Sequence, residues 1–297
     1  MYSHLGTFVN PFTDFGFKRI FGNEESKPLL ISFLNDLLGL EDKIVSLVFN
    51  KNEYVGMSKE DRKAIYDISC TDEKGSIFIV ELQRVKQQYF QDRALYYTSF
   101  PIQEQAIRGT WNFNLTPIYF VGILDFEVEE FSDKYIHYGQ IRDRDNNTMY
   151  DKLNFIYIEL PKFKKKEKEL STHLEKWLWF FNKLNDLDEM PESFRGDIIE
   201  EAFIISELAK MKPQTRKEYE ISLKHYRDWV NVLTTAKEEG REEGREEGRE
   251  EGREEGREEG EHKKALEIAT NLKKSGVDIE TIVSVTSLSR EQILGIN

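Results

Sequence analysis

The chain has a single cysteine, Cys70, so no disulfide can form within it and its fold must rest on burial and hydrogen bonding. No stretch approaches the roughly 18 consecutive apolar residues that a membrane-spanning helix requires. The first residues, MYSHLGTFVNPF, show no apolar signal region, and the expectation is a cytoplasmic protein with no membrane partner. The histidines His4, His137, His173, His225 and His262 lack the spacing of metal ligands. Neither GxxxxGK[ST] nor GxGxxG occurs, so the glycine-rich phosphate cradles are absent. Positive charge is also scarce: 42 Lys and Arg stand against 55 Asp and Glu, a net charge of −13. That balance argues against a broad phosphate-binding surface. It is unevenly spread, because Glu238 to Glu261 holds 13 Glu and 5 Arg, a net of −8, leaving −5 for the rest. Local basic stretches such as Lys162 to Lys168 (KFKKKEK) persist, and such a run ordinarily forms a solvated face.

What is present is a globular composition, 39% hydrophobic and 12% aromatic over 297 residues, enough for a sizeable core and more than one domain. DFGFKRIF (Asp14 to Phe21) reads as a short helix. KPLLISFLNDLL (Lys27 to Leu38) reads as a longer one, with Pro28 near its start and Gly39 as its cap. A strand near Ile44 to Phe49 follows, then a hairpin, a helix from about Gln87 to Arg108, and the apolar run LTPIYFVGILDF as a buried strand. A second hairpin is expected between Tyr135 and Leu160, turning at Asp143 to Asn147. Beyond Pro161 the pattern becomes helical, and the cluster Trp177, Trp179, Phe180 and Phe181 reads as core.

The first hairpin, IYDISCTDEKGSIFIVELQ, places acids where apolar residues are expected. If Glu73, Lys74 and Gly75 form a three-residue loop with Gly75 left-handed, paired residue numbers sum to 148 and Asp67 faces Glu81. Alternation then sends Asp67, Glu81 and Gln83 to one face and Phe78, Val80 and Leu82 to the other. A two-residue loop would shift the pairing by one and separate the acids. Two close carboxylates repel unless a cation or a shared proton relieves them, and their oxygens suit a hard divalent ion. The alternative is a solvated face that the acids merely decorate. Cys70 lies on the face opposite Asp67, in the core.

The tetrapeptide EEGR recurs five times from Glu238, ending in EEGE. As a helix it would span about 36 Å, but its six glycines cost about 1 kcal/mol each and its like charges stack at i,i+4. A frayed or extended spacer is expected. From His262 onward three short helices are expected, with Asp278 capping the second. Ser289 and Gln292 form a capping box stapled by Leu288 and Ile293. The arrangement resembles a helix-turn-helix but is hardly basic, which favours a docking module over DNA reading.

The order of helix, three strands, helix and strand, with Asp on the second strand and Glu-x-Gln on the third, resembles the PD-(D/E)XK nuclease superfamily. NPFTDFGFKRIFG, SFLNDLLG, the acidic hairpin, QDRALYYTS and FIYIELPKF together resemble the recombination-promoting nuclease (Rpn) family, also described as transposases, over roughly Asn10 to Phe163. The resemblance implies an α/β fold: a mixed central sheet flanked by helices, with a helical C-terminal extension. The division expected is a nuclease-like domain over 1–165, a helical extension over 166–237, the repeat spacer over 238–261 and a small module over 262–297. It further implies a DNA endonuclease that uses Mg²⁺, with Mn²⁺ or Ca²⁺ as alternatives, and DNA as partner. Asp67, Glu81 and the carbonyl of Leu82 would be metal ligands. Gln83 occupies the usual lysine position, and Tyr66 stands where a proline commonly precedes the first acid. Lys18 would join the catalytic set, while Asp14 and Arg93 would contact substrate, against the alternative of ordinary surface charges. A homo-oligomer would suit paired cuts. The missing lysine also admits an inactive nuclease fold that acts as an interaction protein.

Overall fold

The computed structural model describes residues 6–54, 64–106, 112–128 and 132–296. The chain divides into two compact units, Met1–Tyr226 and Arg227–Asn297.

In the first unit Thr13 caps α1 (Asp14–Phe21) by accepting the Gly16 N–H, and Gly39, at φ 56°, closes α2 (Lys27–Leu38). The strands β1 (Leu47–Phe49), β4 (Ile68–Asp72), β5 (Ile77–Gln83), β6 (Ile118–Leu124), β7 (Ile136–Arg142) and β8 (Thr148–Glu159) form one sheet in the order β1-β4-β5-β6-β8-β7. Two short strands, β2 (Glu53–Tyr54) and β3 (Ala64–Ile65), pair apart from it. The centre of the sheet, β5 to β6 to β8, is parallel, and both flanks are antiparallel. Parallel neighbours need a crossover, and α3 (Phe90–Glu104) supplies it between β5 and β6. The second hairpin turns where the sequence places it: the Asp143 carboxylate accepts the N–H groups of Asp145 and Asn147, and Asn146 sits at φ 66°.

Both faces of β5 are covered, as the centre of a parallel sheet requires. Phe78, Val80 and Leu82 enter the main core with Phe17, Phe21 and Phe33 of the first two helices and Trp177 and Phe180 of α4 (His173–Lys183). Ile79, on the opposite face, packs with Phe90, Phe120 and Leu124 beneath α3. The aromatic cluster of α4 is therefore core, and Cys70 is fully buried, its thiol pushed up to about 12 by burial. Lys162 departs from the expected solvated run. Its Nζ lies 2.7 Å from Oε2 of the buried Glu159, whose Oε1 is 2.9 Å from His137 Nε2. A carboxylate with no access to water needs such partners.

After α5 (Ile198–Ser206), α6 (Pro213–Lys274) begins by burying Tyr219 and Leu223, and the Tyr219 hydroxyl accepts the Asn10 N–H at 2.9 Å. The EEGR repeat corrects the expectation of a frayed or extended spacer, because it is helical throughout and solvated on every side. Propagating an existing helix costs far less than nucleating one, and contacts such as Arg257 to Glu254 at 3.9 Å offset part of the glycine penalty. The first of the three expected terminal helices is likewise the end of α6. Asp278 caps α7 (Ile279–Thr286), and Ser289 with Gln292 makes the capping box of α8 (Arg290–Leu294). Ala269, Ile282, Leu288 and Ile293 form the core of this second unit. Among the described residues no helix is long and apolar enough to cross a membrane.

Candidate active site

The site begins with a turn. Gly75 adopts φ 85°, its N–H donates to the Asp72 carbonyl, and the hairpin pairs Ile68 with Val80 and Cys70 with Phe78, the register summing to 148. Asp67 therefore arrives opposite Glu81 just before β4 begins. The two acids are held by each other's strands. The Asp67 N–H donates to Glu81 Oε1 at 3.0 Å, and the Leu82 N–H donates to Asp67 Oδ2 at 2.8 Å. Gln83, one strand period beyond Glu81, donates from Nε2 to Glu81 Oε2 at 3.1 Å.

Enclosure makes this pair costly to ionise. Glu81 is 3% exposed and Asp67 half-buried. Burial pushes the Glu81 carboxyl well above the usual carboxylate range and the charge of Asp67 pushes it the same way, against the Asp67 N–H, Arg93 and the Gln83 amide. Burial also raises Asp67, opposed by the Leu82 N–H, Lys18 and Arg84, and reinforced by Asp14. Two carboxyls raised together by burial, with the charge of Asp67 adding to the cost at Glu81, are what a bound cation would relieve.

Every residue singled out in the sequence lies around this pair. From α1, Lys18 and Asp14 form an ion pair at 2.7 Å that places both charges within the field of Asp67. From α3, Arg93 donates to Gln87 Oε1 at 2.6 Å, lies 5.5 Å over the Tyr97 ring, and favours the ionised form of Glu81. The N–H and C=O of a strand residue leave on the same edge. Since the Leu82 N–H faces Asp67, its carbonyl shares that edge, while its side chain belongs to the main core. Among the described residues no group of three or more His, Cys, Asp or Glu is arranged so that it could hold a metal ion. A metal here would thus draw on two carboxylates, the Leu82 carbonyl and exogenous oxygens, a hard set suited to Mg²⁺.

Two residues escaped sequence reasoning. Alternation assigns Arg84 to the Leu82 face, but β5 ends at Gln83 and the side chain is free to turn toward Asp67. Asp125 closes β6, where its N–H donates to the Gln83 carbonyl at 2.8 Å. It opens to solvent, yet the protein around it pushes its carboxyl up to about 6. The only signal for Arg84 was its adjacency to the Glu-x-Gln motif.

No curated protein and no solved structure matches the chain. A family model described as PD-(D/E)XK nuclease family transposase matches residues 11–236, which takes in α1, the acidic hairpin, the whole sheet and the start of α6, and stops short of the EEGR repeat. Its coverage of more than half the chain establishes that the protein belongs to the PD-(D/E)XK nuclease family of transposases.

Proposed function

We propose that the protein is a divalent-metal-dependent DNA endonuclease whose cuts promote recombination or transposition-like strand exchange, with Asp67, Glu81 and the Leu82 carbonyl holding Mg²⁺ or Mn²⁺. The observation that carries this reading is the buried acid pair, fixed face to face by reciprocal backbone hydrogen bonds and left without a cation in direct contact among the described residues. Family membership supports it. When bound, such an ion acts as a Lewis acid on the scissile phosphate and lowers the pKa of the attacking water.

The chain's own residues orient the rest. Because the Gln83 amide donates Nε2 to Glu81, its carbonyl oxygen remains to accept from a water and aim it. Lys18 brings positive charge from α1 with Asp14 holding its position, and Arg93 brings it from α3. What Gln83 does not bring is the ammonium of the family's lysine, which would stabilise charge developing on the phosphate. A dimer of the chain would deliver paired cuts.

Supercoiled plasmid incubated with Mg²⁺ should be nicked or linearised by the wild type and left intact by Asp67→Ala. Gln83→Lys should preserve or raise the rate. A loss of rate in that variant, with metal binding intact, would assign Gln83 a specific hydrogen-bonding role instead. A wild type that neither binds metal nor cuts would leave a nuclease-like fold that acts through protein interactions.

A further inference from the structure

The metal-dependent reading leaves a charge unaccounted for at the acid pair. Gln83 contributes none, and the Lys18 ammonium is held by Asp14. Arg84 is placed differently. It is half-buried immediately after β5, and its guanidinium lies 5.4 Å over the Tyr226 ring. Among the described residues it makes no ion pair and no side-chain hydrogen bond. A cation–π contact leaves the guanidinium's donors unoccupied, and that fork matches two oxygens of a phosphate. A half-buried guanidinium whose donors meet no acceptor among the described residues is open to an anion arriving from solvent. The Asp67 carboxylate lies within its field without forming an ion pair with it.

Arg84 also opens onto a groove of about 710 Å³ between α1 and the first turns of α6, where Lys18, Arg19, Ser222 and His225 join it on the wall. Arg19 is anchored by donating Nε to the Ile205 carbonyl at 3.2 Å. The groove carries more positive than negative side chains although the chain as a whole is acidic. We propose that Arg84 grips a DNA phosphate beside the acid pair, and that this groove is the track of the same strand's sugar–phosphate backbone. The proposal rests on the acid pair being the site of DNA cleavage.

The test is binding of the full-length chain to a fluorescently labelled duplex in EDTA, where no metal-dependent cutting proceeds, followed over a range of salt concentrations by anisotropy. Each phosphate contact contributes about 0.9 to the slope of log K against log salt. Arg84→Ala should weaken binding at least tenfold and reduce the slope by about one such contact. Arg84→Lys, which keeps the charge but loses the fork, should recover the slope and only part of the affinity. In Mg²⁺ the alanine variant should show a raised KM. Matched melting curves identify an unfolded variant, and the lysine variant then carries the decision through its affinity deficit. Wild-type affinity, slope and KM in Arg84→Ala would overturn the proposal while leaving the endonuclease reading intact. Wild type that binds DNA with the Arg84-dependent slope but fails to cut whichever divalent metal is supplied would overturn the cleavage reading alone. Wild type that binds no DNA would overturn the phosphate contact.

Discussion

Replacing Glu81 by Gln separates what the acid pair costs the fold from what it does for function. Glu81 is 3% exposed, and its carboxyl is raised by burial and by Asp67, so the ionised pair weakens the metal-free protein. A carboxyl whose folded pKa lies above its unfolded value binds its proton more tightly in the native state, so stability falls as pH rises through the interval between the two. The penalty is absent below the ordinary Glu range and complete above the raised value. Glutamine keeps the volume, and its carbonyl can still accept the Asp67 N–H, while the Gln83 amide must turn to present its oxygen. Each unit by which Glu81 is raised corresponds to about 1.4 kcal/mol at neutral pH. For a unit of this size 1 kcal/mol moves Tm by about 2–4 °C, so each unit is worth about 3–6 °C. Melting in EDTA from about pH 5 to 8 should show Glu81→Gln gaining several degrees over wild type at the alkaline end and little at the acidic end. Added Mg²⁺ should raise the wild-type Tm by mass action and leave the variant unmoved. A variant less stable than wild type at pH 8 in EDTA would refute the claim that the pair is electrostatically strained.

Gly75→Ala forces an L side chain to φ 85°, which costs about 1–2 kcal/mol, and should lower Tm by several degrees in a thermal melt. His173 should make stability pH-dependent. Burial disfavours its charged form, but hydrogen bonds from its ring to Asp197, which Lys176 also pairs, and to Asp36 outweigh that and raise its pKa. The stabilisation is complete below the ordinary His value and lost as pH rises through the raised one, so His173→Gln should flatten the urea midpoint across that window. Truncation after Ala236, where the family match ends, should leave a folded, soluble domain because Tyr219 and Leu223 stay in place. Insoluble product would show that the remainder of α6 is integral to it.

The acid pair was readable because its geometry is local: one glycine in one turn fixes the register, and alternation does the rest. The helix caps at Gly39, Asp278 and Ser289 follow from equally short-range chemistry. What escaped depends on distant partners. Arg84 meets Tyr226 from a helix far along the chain, and Lys162, though only three residues from Glu159, is drawn in because the sheet buries that carboxylate beside His137 of β7. The helicity of the EEGR segment is hidden from its sequence for a different reason. Glycine propensities sum unfavourably for an isolated peptide, but this segment continues a helix already nucleated by the packed residues before it. Charge counts were equally blunt, since the acidic repeat masks the cations gathered in the groove beside α1.

If Asp67 and Glu81 together hold the ion needed for DNA cleavage, the single-turnover cleavage rate of a labelled duplex should follow Mg²⁺ as it is titrated. Wild type should show a saturable metal dependence and no cleavage in EDTA. Asp67→Asn and Glu81→Gln should each be slower by more than about a hundredfold, since a metal's charge stabilisation is worth several kcal/mol. Cleavage by either variant at the wild-type rate, or wild-type cleavage that persists in EDTA, would contradict that role for the acid pair.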